Sequence, residues 1–144
     1  MSVNQVSVFL ENKPGTLNKL TEVLAANNVN IRALSLAETS EFGIVRMLVN
    51  DVFEATTVLK ENHFVATLTP VLAYAIADEA GDLNKLLKKF SEIEVNIEYM
   101  YAFAAHVGKE AILVFRFDDA EKADAALKAA GVPVLAPADV LNLH

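Results

Sequence analysis

At 144 residues the chain suits one ordinary domain or two small ones, and a fold of that size buries roughly 68–70% of its unfolded surface. Apolar residues make up 53% of it and charged residues 22%, which excludes general disorder, and the lack of cysteine excludes a disulfide scaffold or a thiolate metal site. A net charge of −7 argues against a nucleic-acid partner, because a phosphate backbone needs a basic face. Met1-Ser2-Val3-Asn4-Gln5 has no basic, then apolar, leader pattern, and no apolar run approaches the ~20 residues of a membrane span. A cytoplasmic protein with no membrane partner is expected.

Val6, Val8 and Leu10 alternate with Gln5, Ser7 and Phe9, which is strand period. Asn12-Lys13-Pro14-Gly15 breaks that strand. Asn12 is suited to cap the helix that follows, and Pro14 suits its first turn. Leu17, Leu20 and Leu24 then form one helical face, which Asn27-Asn28 ends. Residues 31–36 and 42–49 read as strands around a turn at 38–43. Val52, Ala55, Val58 and Leu59 form a second helical face, and residues 64–68 a fourth strand. The order β-α-β-β-α-β is the ferredoxin-like motif, with helices over one face of an antiparallel sheet.

The same order recurs. Gly15, Leu17-Asn18-Lys19-Leu20 and Val29-Asn30-Ile31 reappear 66 residues later as Gly81, Leu83-Asn84-Lys85-Leu86 and Val95-Asn96-Ile97. Leu59-Lys60 reappears 68 residues later as Leu127-Lys128, so the second copy holds a two-residue insertion before Asp118. Its elements are expected at 72–77, 83–90, 96–102, 110–117, 120–129 and 132–135. The fold class is α+β, two ferredoxin-like repeats expected to pack closely, since no Gly/Ser linker parts them, with domains at 1–69 and 70–144 joined near Thr69-Pro70. The tail from Pro137 reads as a short turn or strand.

Catalytic groups are scarce. His63, His106 and His144 lie near element ends without metal-ligand spacing. No serine sits in a nucleophile elbow, and no phosphate-cradling glycine motif exists. Asp118-Asp119 precedes a helix, where capping explains it better than catalysis. Asp78, Glu79 and Asp82 surround another helix start. Arg32 and Arg46 lie in strands, either on an open sheet face or as carboxylate partners. The 12–17 loop carries the most information. A helix start offers unpaired N–H groups and partial positive charge, Gly15 permits close approach, and Asn12 both donates and accepts hydrogen bonds. A free α-amino acid needs that combination, although turn and capping chemistry alone also accounts for the loop.

Glu11-Asn12-Lys13-Pro14-Gly15-Thr16-Leu17 after a strand, followed by a helix ending in Asn28-Val29-Asn30-Ile31, resembles the ACT domain, a small regulatory module of amino-acid metabolism. Both copies resemble it, and the first is similar to the serine-binding regulatory domain of bacterial phosphoglycerate dehydrogenase. The resemblance implies paired modules whose sheets extend to eight strands, with ligands at the seam between modules. It assigns Asn12, Lys13, Pro14, Gly15, Thr16 and Leu17 to one contact and Asn30 to the other. Asn96 would take the part of Asn30 opposite the first loop, and a second site would use Asp78, Gly81 and Asn30.

Ala77-Asp78-Glu79-Ala80-Gly81 departs from the pattern of the first loop. Asp78 repels a carboxylate and Glu79 reverses the charge of Lys13. One working site, or two unequal ones, is expected. The function implied is a non-catalytic sensor with a small or polar amino acid as effector, no cofactor and no metal. It would form a homodimer and act on a separate target enzyme. The alternative is a regulatory or assembly subunit, similar to the small subunit of acetolactate synthase, that works through protein contacts alone. Enzymatic activity is disfavoured for want of a nucleophile, metal cluster or acid–base pair, though ferredoxin-like folds host many activities.

Overall fold

The computed structural model of the protein describes residues 1–103 and 110–141. The chain divides into two compact units, Asn4–Thr69 and Met1–Val3 with Pro70–His144. No helix among the described residues is long and apolar enough to cross a membrane.

The first unit contains β1 (Val3–Glu11), α1 (Thr16–Ala26), β2 (Ile31–Glu38), β3 (Phe42–Val49), α2 (Val52–Glu61) and the start of β4 (Val65–Ala77). Its strand order is β2-β3-β1-β4. β3 runs antiparallel to both β1 and β2, pairing Val8 with Val45 and Leu36 with Val45. The alternation in β1 turns Val6, Val8 and Leu10 towards the helices. There they meet Leu20 and Leu24 of α1, Ala55, Val58 and Leu59 of α2, and Val45, Met47 and Val49 of β3. Truncating one such leucine typically costs about 2–5 kcal/mol, so this aliphatic core fixes the sheet on which the 12–17 loop is mounted.

The second unit contains the rest of β4, α3 (Asp82–Glu92), β5 (Ile97–Ala102), β6 (Glu110–Phe117), α4 (Ala120–Ala129) and α5 (Pro137–Leu141). Its order is β4-β6-β5, with β6 antiparallel to both neighbours. Its core is aromatic. Phe90 meets Phe115, Tyr74 and Phe117 edge-on at centroid distances of 5.0, 5.3 and 5.3 Å. The amino terminus of Met1 forms an ion pair with Asp124 in this unit.

The repeat is visible in the backbone. Gly15 and Gly81 both begin a helix in the left-handed region, at φ 88° and 92°. Asn28 and Glu94 both have φ 58°. Asp51 accepts from the Glu54 N–H at 3.0 Å, and Asp119 accepts from the Lys122 N–H at 3.0 Å. The strand pair Leu34–Met47 corresponds to Met100–Phe115, so the two-residue insertion lies between β5 and β6.

Four local expectations are corrected. Residues 132–135 form no strand, because Pro133 lacks an N–H and only the Leu135 N–H reaches across, to the Ala73 carbonyl at 2.9 Å. Asn12 does not cap α1. Gly15 is the N-cap residue and no side chain caps that helix. The strands expected at 64–68 and 72–77 are one, since β4 runs through Thr69-Pro70 for 13 residues. The tail forms a short helix, Pro137–Leu141. The eight strands implied by paired modules are six among the described residues, because one strand serves both repeats and another is irregular.

Candidate functional site

The 12–17 loop leaves β1 beside the turn that joins β2 to β3. The Asn12 N–H donates to the Glu41 carbonyl at 3.0 Å. The Asn12 side-chain amide donates to Glu38 Oε2 at 3.1 Å and to the Thr39 carbonyl at 3.2 Å. Asn12 therefore ties the loop to the β2–β3 turn, and its Oδ1 is left as an acceptor. The Thr16 hydroxyl donates to the carbonyls of Glu11 and Lys13 at 2.9 and 3.1 Å, which closes the loop. A Cβ added at Gly15 would meet nothing within 4 Å. No side chain caps α1, whose Thr16 N–H donates to the Lys13 carbonyl at 3.5 Å, and the positive end of the helix dipole lies at this loop.

The Lys13 ammonium lies 2.8 Å from Glu11 Oε2. The hydrogen bond, then the charge, of Lys13 holds the Glu11 carboxyl below its ordinary pKa, and Glu11 raises Lys13 in the same order. Both groups are exposed, and Lys13 is neutralised by its neighbour.

A cleft of about 120 Å³ opens between the loop and the β2–β3 turn. Asn12, Gly15, Thr16, Leu17, Leu36, Glu38 and Gly43 are among its walls. It combines uncapped N–H donors, a carboxylate and an amide oxygen within a space the size of a small molecule. A larger cleft of about 610 Å³ borders the same loop at the α2–β4 corner and includes Lys13, Pro14, Gly15 and Thr16. The structure thus gathers Asn12, Lys13, Pro14, Gly15, Thr16 and Leu17 around two clefts of the first unit.

Asn30 is elsewhere. Its N–H donates to Asn50 Oδ1 at 2.9 Å, and its carbonyl accepts from the Asn50 N–H at 3.0 Å. This is the opposite end of the unit's sheet from the loop, since Ile31 pairs with Val49 while Glu11 pairs with Phe42. Asn96 sits at the matching place in the second unit, its carbonyl accepting from the Asp118 N–H at 3.4 Å. Asp78 and Gly81 lie in the second unit's own loop, which has the backbone shape of the first.

Several lining residues escaped the sequence pattern. In sequence Glu38 reads only as the start of a turn, yet it walls the small cleft. Phe9 broke the alternation of β1 by placing a large apolar group on the polar side, and that was the available signal. Arg116 is a third strand arginine. Its guanidinium donates to the Pro70 carbonyl at 2.9 Å and lies 3.8 Å from Glu98 Oε1. Arg32 and Arg46 line neither cleft. Asp119 acts as a helix cap. No group of three or more His, Asp or Glu residues among those described is placed to hold a metal. His106 and His144 lie outside the described residues.

A family model described as the ACT domain pair matches residues 1–142. The chain belongs to that family. A crystal structure of protein BT0572 from Bacteroides thetaiotaomicron is 41% identical, covers 99% of this chain and 98% of its own, and superposes with a TM-score of 0.91. The regulatory subunit of aspartate kinase from Thermus thermophilus shares the fold at 19% identity and TM-score 0.65, over 90% of this chain and 92% of its own. Aspartate kinase from Synechocystis does so at 22% identity and TM-score 0.56, over 94% of this ACT pair but 27% of the kinase. No curated protein matches the chain.

Proposed function

We propose that this ACT pair is a non-catalytic amino-acid sensor whose effector binds at the 12–17 loop. The observation that carries the reading is the small cleft where the uncapped start of α1 and the Glu38 carboxylate meet. The effector carboxylate is received by the helix N–H groups, and its ammonium by Glu38 and the Asn12 amide oxygen. A volume of about 120 Å³ favours a small side chain. The second loop is the weaker site because Asp78 replaces Asn12. Regulation follows by linkage. The effector stabilises one packing of the protein, and a separate target enzyme responds to the change in population. The protein works as a homodimer.

A thermal-shift screen against the twenty amino acids tests the proposal. An effector at about 100 times its dissociation constant adds roughly 2.7 kcal/mol to stability. The expected result is a hit among the small amino acids that Asn12→Ala and Glu38→Gln each weaken. A screen without any hit at millimolar concentration overturns the reading in favour of a subunit that acts through protein contacts.

A further inference from the structure

The larger cleft of the first unit has a counterpart in the second, so the repeat supplies its own comparison. The first, about 610 Å³, has walls that include Phe9, Phe42, Phe64, Lys19 and His63. The second, at the same place in its repeat, is about 290 Å³ and is walled by Ile76, Asp82, Lys85, Gly131, Val132 and Pro133. Position for position, Val132 stands for Phe64 and Gly131 for His63. Phe9 and Phe42 correspond to Ala75 and Glu110.

Three differences point the same way. First, Phe9 and Phe42 are 46% and 56% exposed, so large rings stand in water beside Phe64 with no core to fill. Second, Lys85 is paired with Asp82 at 3.3 Å. Thr16 takes the place of that aspartate in the first unit, and Lys19 has no ion-pair partner among the described residues. Third, His63 holds φ 65° where its counterpart is Gly131 at φ 75°. A bend that glycine makes freely is made here by an imidazole on the cleft wall. In a chain of net charge −7, Glu11 and Lys13 cancel each other and leave this aromatic cleft with an uncompensated cation.

We propose that the cleft is a second ligand site, present in the first repeat only, for a small anion with a flat apolar body: an aryl-substituted carboxylate. Its ring is received by Phe9, Phe42 and Phe64, and its carboxylate by the Lys19 ammonium and the His63 imidazole. The site is independent of Asn12 and Glu38, and its ligand is either an aromatic amino acid or an aryl acid without the amine.

Calorimetric titration of the full chain with 3-phenylpropanoate tests this, with L-phenylalanine, 3-phenylpropanamide and acetate titrated in parallel. The expected result is saturable binding of 3-phenylpropanoate, with the amide and acetate at least tenfold weaker. L-phenylalanine binding as well, or not at all, decides between the two sources. Lys19→Met weakens binding about tenfold. His63→Gly also weakens it while melting no lower than the parent, since it installs the residue the second repeat already uses. Asn12→Ala, which removes a loop tether and no group of this site, weakens it less than Lys19→Met does. The proposal is overturned by no saturable binding up to 10 mM, by equal binding of the amide, or by binding that Asn12→Ala removes and Lys19→Met and His63→Gly spare. It is also overturned if Phe9→Ser converts a dimer to a monomer without any ligand having bound, for the rings then face a second copy.

Discussion

Gly15→Ala and Gly81→Ala are predicted to destabilise the protein by nearly the same amount, and only modestly. Both glycines begin a helix in the left-handed region, at φ 88° ψ −11° and φ 92° ψ −12°. At both, an added Cβ would meet nothing within 4 Å, so no clash contributes. What remains is the backbone penalty for an L-residue in that region, about 1–2 kcal/mol. The smaller chain entropy of alanine in the unfolded state offsets about 0.4–1 kcal/mol of it. The net cost is therefore about 1 kcal/mol at each position, and about 2 kcal/mol for the double variant, because each glycine lies in its own unit and the costs add. Urea denaturation read by circular dichroism measures it, with a constant slope confirming that only stability has changed. A loss above about 3 kcal/mol at either glycine would refute the reasoning, since it would require a clash that the open space denies. So would a neutral Gly15→Ala beside a costly Gly81→Ala, because the two loops would then differ in backbone.

Further outcomes follow from the two cores and the caps. Phe90→Ala removes the ring at the centre of the second core and should cost about 3–5 kcal/mol by denaturation. The Tyr74 hydroxyl is buried without a hydrogen-bond partner among the described residues, so Tyr74→Phe should be neutral or stabilise by about 1 kcal/mol. Burial, then the charge of Asp124, pushes the Tyr74 pKa above its ordinary 10.0. Above pH 10 the unfolded tyrosine gives up its proton while the folded one keeps it, so parent stability falls as pH rises. A parent-minus-variant melting profile that stays flat above pH 10 would contradict this. Asp51→Ala and Asp119→Ala each remove one side-chain cap and should each cost about 0.5–2 kcal/mol, the two values agreeing within about 1 kcal/mol.

The fold was legible because the chain states it twice. Hydrophobic period placed each helix and most strands, and the constant offset between Leu17-Asn18-Lys19-Leu20 and Leu83-Asn84-Lys85-Leu86 carried one repeat onto the other. The errors came where local chemistry offered two outcomes. Asn12 has the composition of a helix cap, but the β2–β3 turn competes for its amide and wins with two acceptors. Val132-Pro133-Val134-Leu135 has strand-like apolar content, yet Pro133 removes a donor and the ladder does not form. The strands read at 64–68 and 72–77 merge into one, because Pro70 needs no N–H of its own there and its carbonyl is held by Arg116. The loop was readable from Gly15 and its neighbours. The partners across from it were not, because Glu38 and Phe42 flank the β2–β3 turn and His63 follows α2, two places distant from the loop in sequence that only the pairing of β1 with β3 and β4 assembles.

The most direct test of the central claim is a ¹⁵N-resolved nuclear magnetic resonance titration with the amino acid that stabilises the protein, followed through the glycine amides. The chain has five glycines, so their signals are few. Gly15 and Gly43 line the small cleft of the first loop, whereas Gly81 and Gly131 belong to the second unit. The account predicts saturable shifts of Gly15 and Gly43 at concentrations that leave Gly81 and Gly131 in place. Shifts confined to Gly81 and Gly131, or no shift of Gly15 with any of the twenty amino acids, would contradict it.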